Sequence, residues 1–198
     1  DRFLVSAESF RIPQALYFNK SDLFNEKEQH ELEAIKKLYI SIGVVTWSGS
    51  ALHDDPAALL KVLSNKVTLI AGHSGVGKST LLNTISPHIQ QGTGEISGFS
   101  EKGTHTTTFA EMFQLDATTF VIDTPGVKEW GLVDMNQQEI SDYFPEMRDV
   151  RLNCKFGARC IHLNEPNCAV LEAVNNHTIS EQRYKSYVSM VMGEDNRK

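Results

Sequence analysis

The sequence lacks any apolar run long enough to span a bilayer, and its first residues, DRFLVSAESF, do not have the layout of a signal peptide. We therefore expect a cytoplasmic protein that does not enter a membrane. A strong excess of one charge is also missing, since the formal net charge is −6. This argues against a protein wrapped in nucleic acid over most of its surface. From Arg148 onward, however, eight basic residues face six acidic ones, so this end could still contact RNA.

Cysteine is nearly absent, and all three cysteines lie between Cys154 and Cys168. They are too few and too close together for the disulfide framework of a secreted domain. With one histidine they form C-x5-C-x-H-x5-C, and three thiolates with one imidazole make a closed tetrahedral zinc site. The alternative is a chance cluster in a loop, but a small segment of this kind usually needs a metal or a disulfide. We predict one structural Zn²⁺ per chain, with the ligands Cys154, Cys160, His162 and Cys168.

Short apolar runs alternate with helical periodicities, which predicts an α/β fold with a mostly parallel sheet. The run at 67–71 predicts a strand buried on both faces, and the Gly-, Ser- and Thr-rich residues 90–108 predict a loop. The other predicted strands are 15–18, 42–46 and 120–122, and the predicted helices are 26–39, one opened by Pro56, and one that ends before Pro87. After residue 137 the pattern changes to helix, cysteine-rich loop and helix. We therefore predict two domains, residues 1–136 and 137–198.

Residues 72–79 read GHSGVGKS, a full match to the phosphate-binding pattern G-x-x-x-x-G-K-[ST]. The glycines let backbone N–H groups point at phosphate oxygens, and the following helix adds the positive end of its dipole. Lys78 is predicted to reach the β- and γ-phosphates, and Ser79 to ligate Mg²⁺. A turn without a ligand is the weaker interpretation, because the motif follows a predicted strand and opens a helix. The predicted nucleotide contacts are Gly72, His73, Ser74, Gly75, Val76, Gly77, Lys78, Ser79 and Thr80.

A second acidic motif, Asp123-Thr124-Pro125-Gly126, ends the next predicted strand. Asp123 is predicted to hold Mg²⁺ through water, and the Gly126 N–H to sense the γ-phosphate. Alone, D-x-P-G is a common turn. Its place after a P-loop and a strand favours the nucleotide site.

Asn19-Lys20-Ser21-Asp22 matches N-K-x-D, the guanine-reading motif of GTPases. The Asp22 carboxylate can accept hydrogen bonds from the guanine ring N–H and exocyclic amine, whereas adenine lacks both donors. Lys20 can lay its stem over the base, and Asn19 can brace the site. Residues 46–49 are predicted to add a backbone contact to guanine, although Thr-Trp-Ser-Gly departs from the usual Ser-Ala pattern.

The guanine motif stands about fifty residues before the P-loop, whereas it follows the phosphate motifs in ordinary GTPases. This order predicts a circularly permuted Ras-like P-loop GTPase domain with a small C-terminal helical zinc-binding domain. The whole chain resembles the circularly permuted, ribosome small-subunit-dependent GTPases known as RsgA or YjeQ. The resemblance rests on DRFL, NKSD, GHSGVGKST, GTHTTT, DTPG, FPEM, CKFGARCIHLNEPNCAV and RYKSY, in that order.

The resemblance implies a GTPase that acts late in small-subunit assembly and hydrolyses GTP poorly until it binds that subunit. It also implies an N-terminal OB-fold, which we expect to be missing because this sequence begins at the family's DRFL motif. The first two cysteines are separated by one residue more than is usual in the family. The implied partners are GTP or GDP with Mg²⁺, the small (30S) ribosomal subunit and its rRNA, with no membrane and a monomeric chain.

The hydrolytic machinery is predicted to lie in the loop that contains GTHTTT. Thr106 or Thr107 should complete the Mg²⁺ shell, and the sequence leaves both open. The water-orienting glutamine of Ras is replaced by Val127, which cannot position water by hydrogen bonding. His105 is the best candidate to orient the water or accept its proton, and the resemblance points the same way. The alternative is a solvent-exposed loop histidine without a catalytic role.

Two other functions remain open at this stage. The chain could hold GDP or RNA without turnover, and phosphate release in the presence of small subunits separates this from an enzyme. An unrelated P-loop ATPase is disfavoured by Asp22, and competition between nucleotides would decide it. The sequence favours a GTP hydrolase that responds to the small subunit.

Overall fold

The computed structural model describes residues 1–86, 110–124 and 135–193. Two compact units can be distinguished, one of residues 1–16, 30–47 and 130–198 and the other of residues 17–29 and 48–129. We call them the metal unit and the nucleotide unit. The strands are β1 (Ala15–Asn19), β2 (Val45–Gly49), β3 (Val67–Ile70), β4 (Glu111–Gln114) and β5 (Phe120–Asp123). The helices are α1 (Arg2–Ser9), α2 (Glu26–Ser41), α3 (Ala57–Leu63), α4 (Lys78–Ile85), α5 (Gln137–Ile140), α6 (Pro145–Arg148), α7 (Ala169–Asn175) and α8 (Glu181–Val191).

The nucleotide unit contains a three-stranded sheet in the order β3-β5-β4, while β1 and β2 pair in a separate two-stranded sheet. β3 and β5 are parallel, with Val67 opposite Phe120 and Ile70 opposite Asp123. Because parallel strands end at the same edge of a sheet, this register brings the loop after β3 beside Asp123. Leu63 of α3 and Leu82 of α4 pack with Val121 to form the core of one sheet face.

The opposite face of β3 is open, so the expectation that this strand is buried on both faces is wrong. Val67 and Leu69 expose 62% and 51% of their surface, because among the described residues the packed helices cover only the other face. The sheet is also mixed, since β4 pairs antiparallel with β5. A tight turn makes that hairpin, in which the Asp116 carboxylate accepts hydrogen bonds from the Thr118 and Thr119 N–H groups at 2.8 and 2.9 Å.

Several predicted elements are confirmed with small shifts. β1, α2, α3, α4 and β5 lie where the periodicity placed them. The strand predicted at 42–46 begins only at Val45, because the chain first closes the end of α2. Gly43 adopts a left-handed φ of 84°, and the Val44 N–H returns to the Tyr39 carbonyl at 3.0 Å. α1 and β4 are elements that sequence reasoning did not identify.

The metal unit packs the N-terminal helix against the C-terminal helices. Val5 of α1 is fully buried with Phe144, Met147 and Tyr187. The Arg183 guanidinium is also buried, and it pairs with the carboxylates of Asp1 at 2.5 Å and Glu146 at 2.7 Å. The predicted domain boundary between residues 136 and 137 stays a prediction. No helix in the described ranges combines the length and apolar character needed to cross a membrane.

Candidate functional site

The loop between β3 and α4 has the backbone shape of a phosphate-binding loop. Gly75 and Gly77 have left-handed φ angles of 80° and 97°, which glycine adopts without strain. A Cβ atom at Gly77 would lie 2.2 Å from the Asn19 Nδ2 atom, so the side chain from the guanine motif occupies the space that glycine leaves. α4 then begins at Lys78, which puts Ser79 and Thr80 in its first turn.

Lys78 lies folded across this loop. Its Nζ atom donates to the carbonyl oxygens of Gly72 at 2.8 Å and His73 at 3.0 Å. Partial burial lowers the pKa of Lys78, and the nearby Asp123 carboxylate acts in the opposite direction. Asp123 is 1% exposed at the end of β5. A lysine ammonium and a carboxylate therefore share the sheet edge where phosphate and Mg²⁺ are predicted to bind.

Asn19 connects three segments that are distant in sequence. Its Nδ2 atom donates to the Val76 carbonyl at 2.9 Å, and its Oδ1 atom accepts the Ala51 N–H at 2.8 Å. The neighbouring Lys20 Nζ donates to the Gly75 carbonyl at 2.9 Å. The predicted guanine motif and the P-loop are thus joined directly, which is the spatial arrangement that a permuted chain must recover.

The Asp22 side chain follows Asn19 and Lys20 in the guanine motif, and 33% of its surface is exposed. Lys20 adopts a left-handed φ of 64° and turns the chain, so that Asp22 falls in the following helical turn, Ser21–Leu23. The Gln29 side chain bonds the Ser21 carbonyl at 2.5 Å and holds this turn. A partly open carboxylate on a braced turn can accept hydrogen bonds from a planar base.

The backbone contact to guanine that the sequence predicts at residues 46–49 stays a prediction. Those four residues belong to β2, and shortly after them the Ala51 N–H donates to the Asn19 Oδ1 atom. A Ser-Ala pair does occur directly after these residues, as Ser50-Ala51. Gly49 is required at the start of this turn, since a Cβ atom there would lie 2.3 Å from the Asp54 Oδ2 atom.

The four predicted metal ligands come together in the metal unit, and all are buried. The Sγ atoms of Cys154 and Cys168 are 3.8 Å apart, those of Cys160 and Cys168 are 3.7 Å apart, and the His162 Nδ1 atom is 3.3 Å from the Cys168 Sγ atom. Four ligands about 2.3 Å from a tetrahedral zinc ion would be separated by about 3.8 Å. The cluster has the dimensions of a tetrahedral site and could hold a metal ion.

Surrounding side chains shape the loop that carries His162. The Glu165 carboxylate accepts the N–H groups of Ile161 at 2.7 Å and Leu163 at 2.8 Å, and the Tyr184 hydroxyl donates to the His162 carbonyl at 2.8 Å. Burial raises the pKa of the Cys160 thiol to about 12 and lowers the pKa of His162 to about 4. Without a metal, both groups are therefore uncharged at neutral pH, and a bound ion would replace the thiol protons.

Several predicted site residues lie outside the described part of the chain. These are Gly126 of the second acidic motif and the predicted catalytic group His105, Thr106 and Thr107. Their roles stay predictions. The described residues provide the phosphate loop, the predicted Mg²⁺ ligands Ser79 and Asp123, and the base-reading turn.

Comparison with known proteins agrees with this geometry. The model of the RsgA GTPase family matches residues 1–133. The chain is 50% identical over its full length to the small ribosomal subunit biogenesis GTPase RsgA 2 of Bacteroides thetaiotaomicron, and 47% identical to an RsgA of Bacteroides fragilis. In both cases it spans 64% of the relative's length.

Two solved structures share the fold. YjeQ from Thermotoga maritima is 33% identical with a TM-score of 0.78, and the match covers 100% of this chain and 65% of the YjeQ chain. YloQ, described as a circularly permuted GTPase, is 31% identical with a TM-score of 0.76 and is covered over 62% of its length. The predicted α/β fold and its circular permutation are confirmed.

Proposed function

Because this chain belongs to the RsgA GTPase family, we propose that it binds GTP and hydrolyses it to GDP and phosphate when the small ribosomal subunit is bound, in late maturation of that subunit. The observation that carries the proposal is the position of Asn19. One side chain bonds both the phosphate loop and the Ser50-Ala51 turn, so base and phosphate motifs are set for one nucleotide. The names of the relatives support the ribosomal partner.

On this proposal, the phosphates lie on the loop of residues 72–80. The backbone N–H groups and the α4 N-terminus bind phosphate oxygens, and Lys78 exchanges its contacts with the Gly72 and His73 carbonyls for the β- and γ-phosphates. Ser79, Asp123 and Thr106 would hold Mg²⁺, which neutralises charge that develops on the phosphates. Gly126 would bond the γ-phosphate.

Hydrolysis needs a group that orients the attacking water, and we assign it to His105. In the sequence, Val127 stands where a water-positioning glutamine would be, and His105 belongs to the GTHTTT segment with Thr106 and Thr107. A histidine can position water or accept its proton near neutral pH.

Guanine selectivity is assigned to Asp22, and its exchange for asparagine is the experiment that tests the nucleotide site. Asp22→Asn should weaken GDP binding by about 100-fold or more, because the acceptor loses its charge and its new amide NH₂ group faces a donor of guanine. Xanthosine diphosphate should gain affinity, because xanthine carries an oxygen where guanine has its amine. Calorimetric titration of both nucleotides measures this.

Asp55→Asn is the matched control. Asp55 lies in the neighbouring turn, and its Oδ1 atom accepts the Ala57 N–H at 2.9 Å, a bond that an amide oxygen preserves. This variant removes one negative charge near the site without touching the base. An equal loss of affinity for both nucleotides in Asp22→Asn, or a comparable loss in Asp55→Asn, would contradict the role of Asp22.

For the metal site we propose one structural Zn²⁺ per chain. Three thiolates and one imidazole are a closed ligand set typical of structural zinc, and burial of all four ligands leaves no open position for a substrate. The ion would hold together the loop that joins α6 to α7. The metal domain would then be the segment 137–198, and the GTPase domain the segment 1–136.

An exposed face beside the metal site supports contact with rRNA. Lys155, Phe156 and Arg159 lie at the surface between the first two metal ligands, and the Lys155 Nζ atom is 5.8 Å from the centre of the Phe156 ring. Cationic and aromatic side chains together bind the backbone and bases of unpaired RNA. We therefore assign part of the ribosomal contact to this face. We further propose that the protein acts as a monomer in the cytoplasm.

A further inference from the structure

The Asp22 carboxylate, which is proposed to bind guanine, has a histidine close to it. The His53 Nε2 atom lies 4.0 Å from the Asp22 Oδ2 atom, and the two side chains expose 66% and 33% of their surface. The histidine therefore approaches one of the two oxygens that guanine is proposed to use.

Hydrogen bonds hold the backbone turn that carries His53. The N–H groups of His53 and Asp54 both donate to the Ser50 carbonyl, at 3.2 and 2.9 Å, and the Asp54 Oδ2 atom accepts the Ser50 N–H at 2.8 Å. The turn from Ser50 to Asp54 is therefore closed at both ends. It is also tied to the phosphate loop, because Ala51 bonds Asn19.

The charged groups around His53 are mainly acidic. Asp22 faces it from the Ser21–Leu23 turn, and Asp54 and Asp55 follow it in the chain. Burial, and then the charges of Asp54 and Asp22, raise the pKa of the nearby Tyr17 phenol, which stays neutral. The Lys20 ammonium is directed at the Gly75 carbonyl. A positive charge on His53 would be attracted by the Asp22 carboxylate.

We propose that His53 is a proton-dependent competitor of guanine for Asp22: the neutral imidazole leaves the carboxylate free for the base, and the protonated ring pairs with it. The inference deepens the proposed function and depends on the role of Asp22 in it. Guanine offers two donors, which need both carboxylate oxygens. An imidazolium on Oδ2 competes with one of them, so protonation weakens binding of the base.

The size of the effect follows from the exposure of the pair. Solvent-exposed ion pairs are worth about 0.2–1 kcal/mol, which corresponds to a change of up to about fivefold in a dissociation constant. Histidine changes its charge between pH 5 and 8, so affinity for GDP should fall as the pH is lowered through this range.

The test compares GDP binding by the wild-type chain and His53→Gln at pH 7.5 and pH 5.8, with calorimetric titration. The two proteins should bind equally at pH 7.5. At pH 5.8 the wild type should lose about two- to fivefold more affinity than His53→Gln. The terminal phosphate of GDP also titrates near pH 6, but it does so equally in every variant, so the difference between variants reports His53.

Two further variants sharpen the comparison. His30→Gln changes an exposed histidine on α2 and should keep the wild-type pH profile. In Asp22→Asn with xanthosine diphosphate, the additional exchange His53→Gln should have no effect, because the carboxylate is absent. Identical pH profiles for the wild type and His53→Gln would overturn the inference while guanine recognition stands. Absence of GDP binding at either pH would instead overturn the proposed function, and this inference with it.

Discussion

Replacing Cys160 by serine, or removing the metal with a chelator, is expected to unfold the segment that contains α6, α7 and α8. Metal binding in structural sites with such ligands is worth about 10–16 kcal/mol at neutral pH. That is as large as the whole stability of a typical domain, which is about 5–15 kcal/mol. The expected result is loss of zinc from one atom per chain to none, with loss of helical circular dichroism and of the cooperative thermal transition.

The structure explains why this effect should be large. The three cysteines belong to the same buried cluster as Phe144, Met147 and Tyr187, so the proposed ligands pack directly within the apolar core. Tyr187 also donates its hydroxyl proton to the Ile161 carbonyl at 2.8 Å, which ties α8 to the ligand loop. Loss of the proposed ion would remove the bonds that hold the ligand loop against the apolar core, so the stability of this segment should fall sharply.

Asn164→Ser serves as the control for this prediction, because Asn164 is exposed in the same loop and offers no ligand. It should retain one zinc ion and the wild-type melting temperature. A metal-free preparation with the same circular dichroism and melting temperature as the holoprotein would contradict a structural metal.

Replacing His105 by alanine is expected to lower kcat by about 10²–10⁴, the range of general-base and water-positioning groups. GTP affinity should change little, because the groups proposed to bind the phosphates, the P-loop backbone and Lys78, are unaltered by the exchange. A group that acts only on the attacking water affects the transition state, so its loss appears in kcat and not in KM. Steady-state hydrolysis with saturating small subunits, beside binding of a non-hydrolysable GTP analogue, measures both quantities.

Two companion variants separate the possible roles of His105. His105→Gln can orient water but cannot accept a proton at neutral pH, so partial activity would indicate positioning and full loss would indicate a base. His30→Ala changes an exposed histidine on α2 and should turn over normally. Normal turnover of His105→Ala, or a loss of binding in proportion to rate, would show that the water is positioned by another group.

The nucleotide site could be predicted largely from the sequence, because its chemistry depends on glycine-rich spacing. GHSGVGKS follows a strand and opens α4 at Lys78, as predicted. The contact between Asn19 and Val76 follows from recognising that two motifs in reversed order must meet in space. The buried cluster of three cysteines and one histidine could be predicted in the same way, since these residue types are rare and their spacing is short.

Other features depend on tertiary packing that no local pattern shows. α1 is only eight residues long, and the residues that it buries are Leu4 and Val5, which pack in the same unit as the C-terminal helices. β4 is a four-residue strand whose pairing is set by the Asp116 turn. The closeness of His53 to Asp22 arises from a turn that is closed by Asp54. Such contacts are not marked by any repeating pattern of residues in the sequence.

The most direct test of the proposed function is the rate of phosphate release from GTP by this chain, measured with and without purified small ribosomal subunits and with large subunits as the control. We expect slow release from the chain alone and a rise in kcat of about tenfold or more with small subunits. A stimulating partner can supply a factor of about 10³–10⁵ to a GTPase. ATP should not be hydrolysed under any of these conditions. A rate that is the same with and without small subunits, or equal hydrolysis of ATP and GTP, would contradict the proposed function.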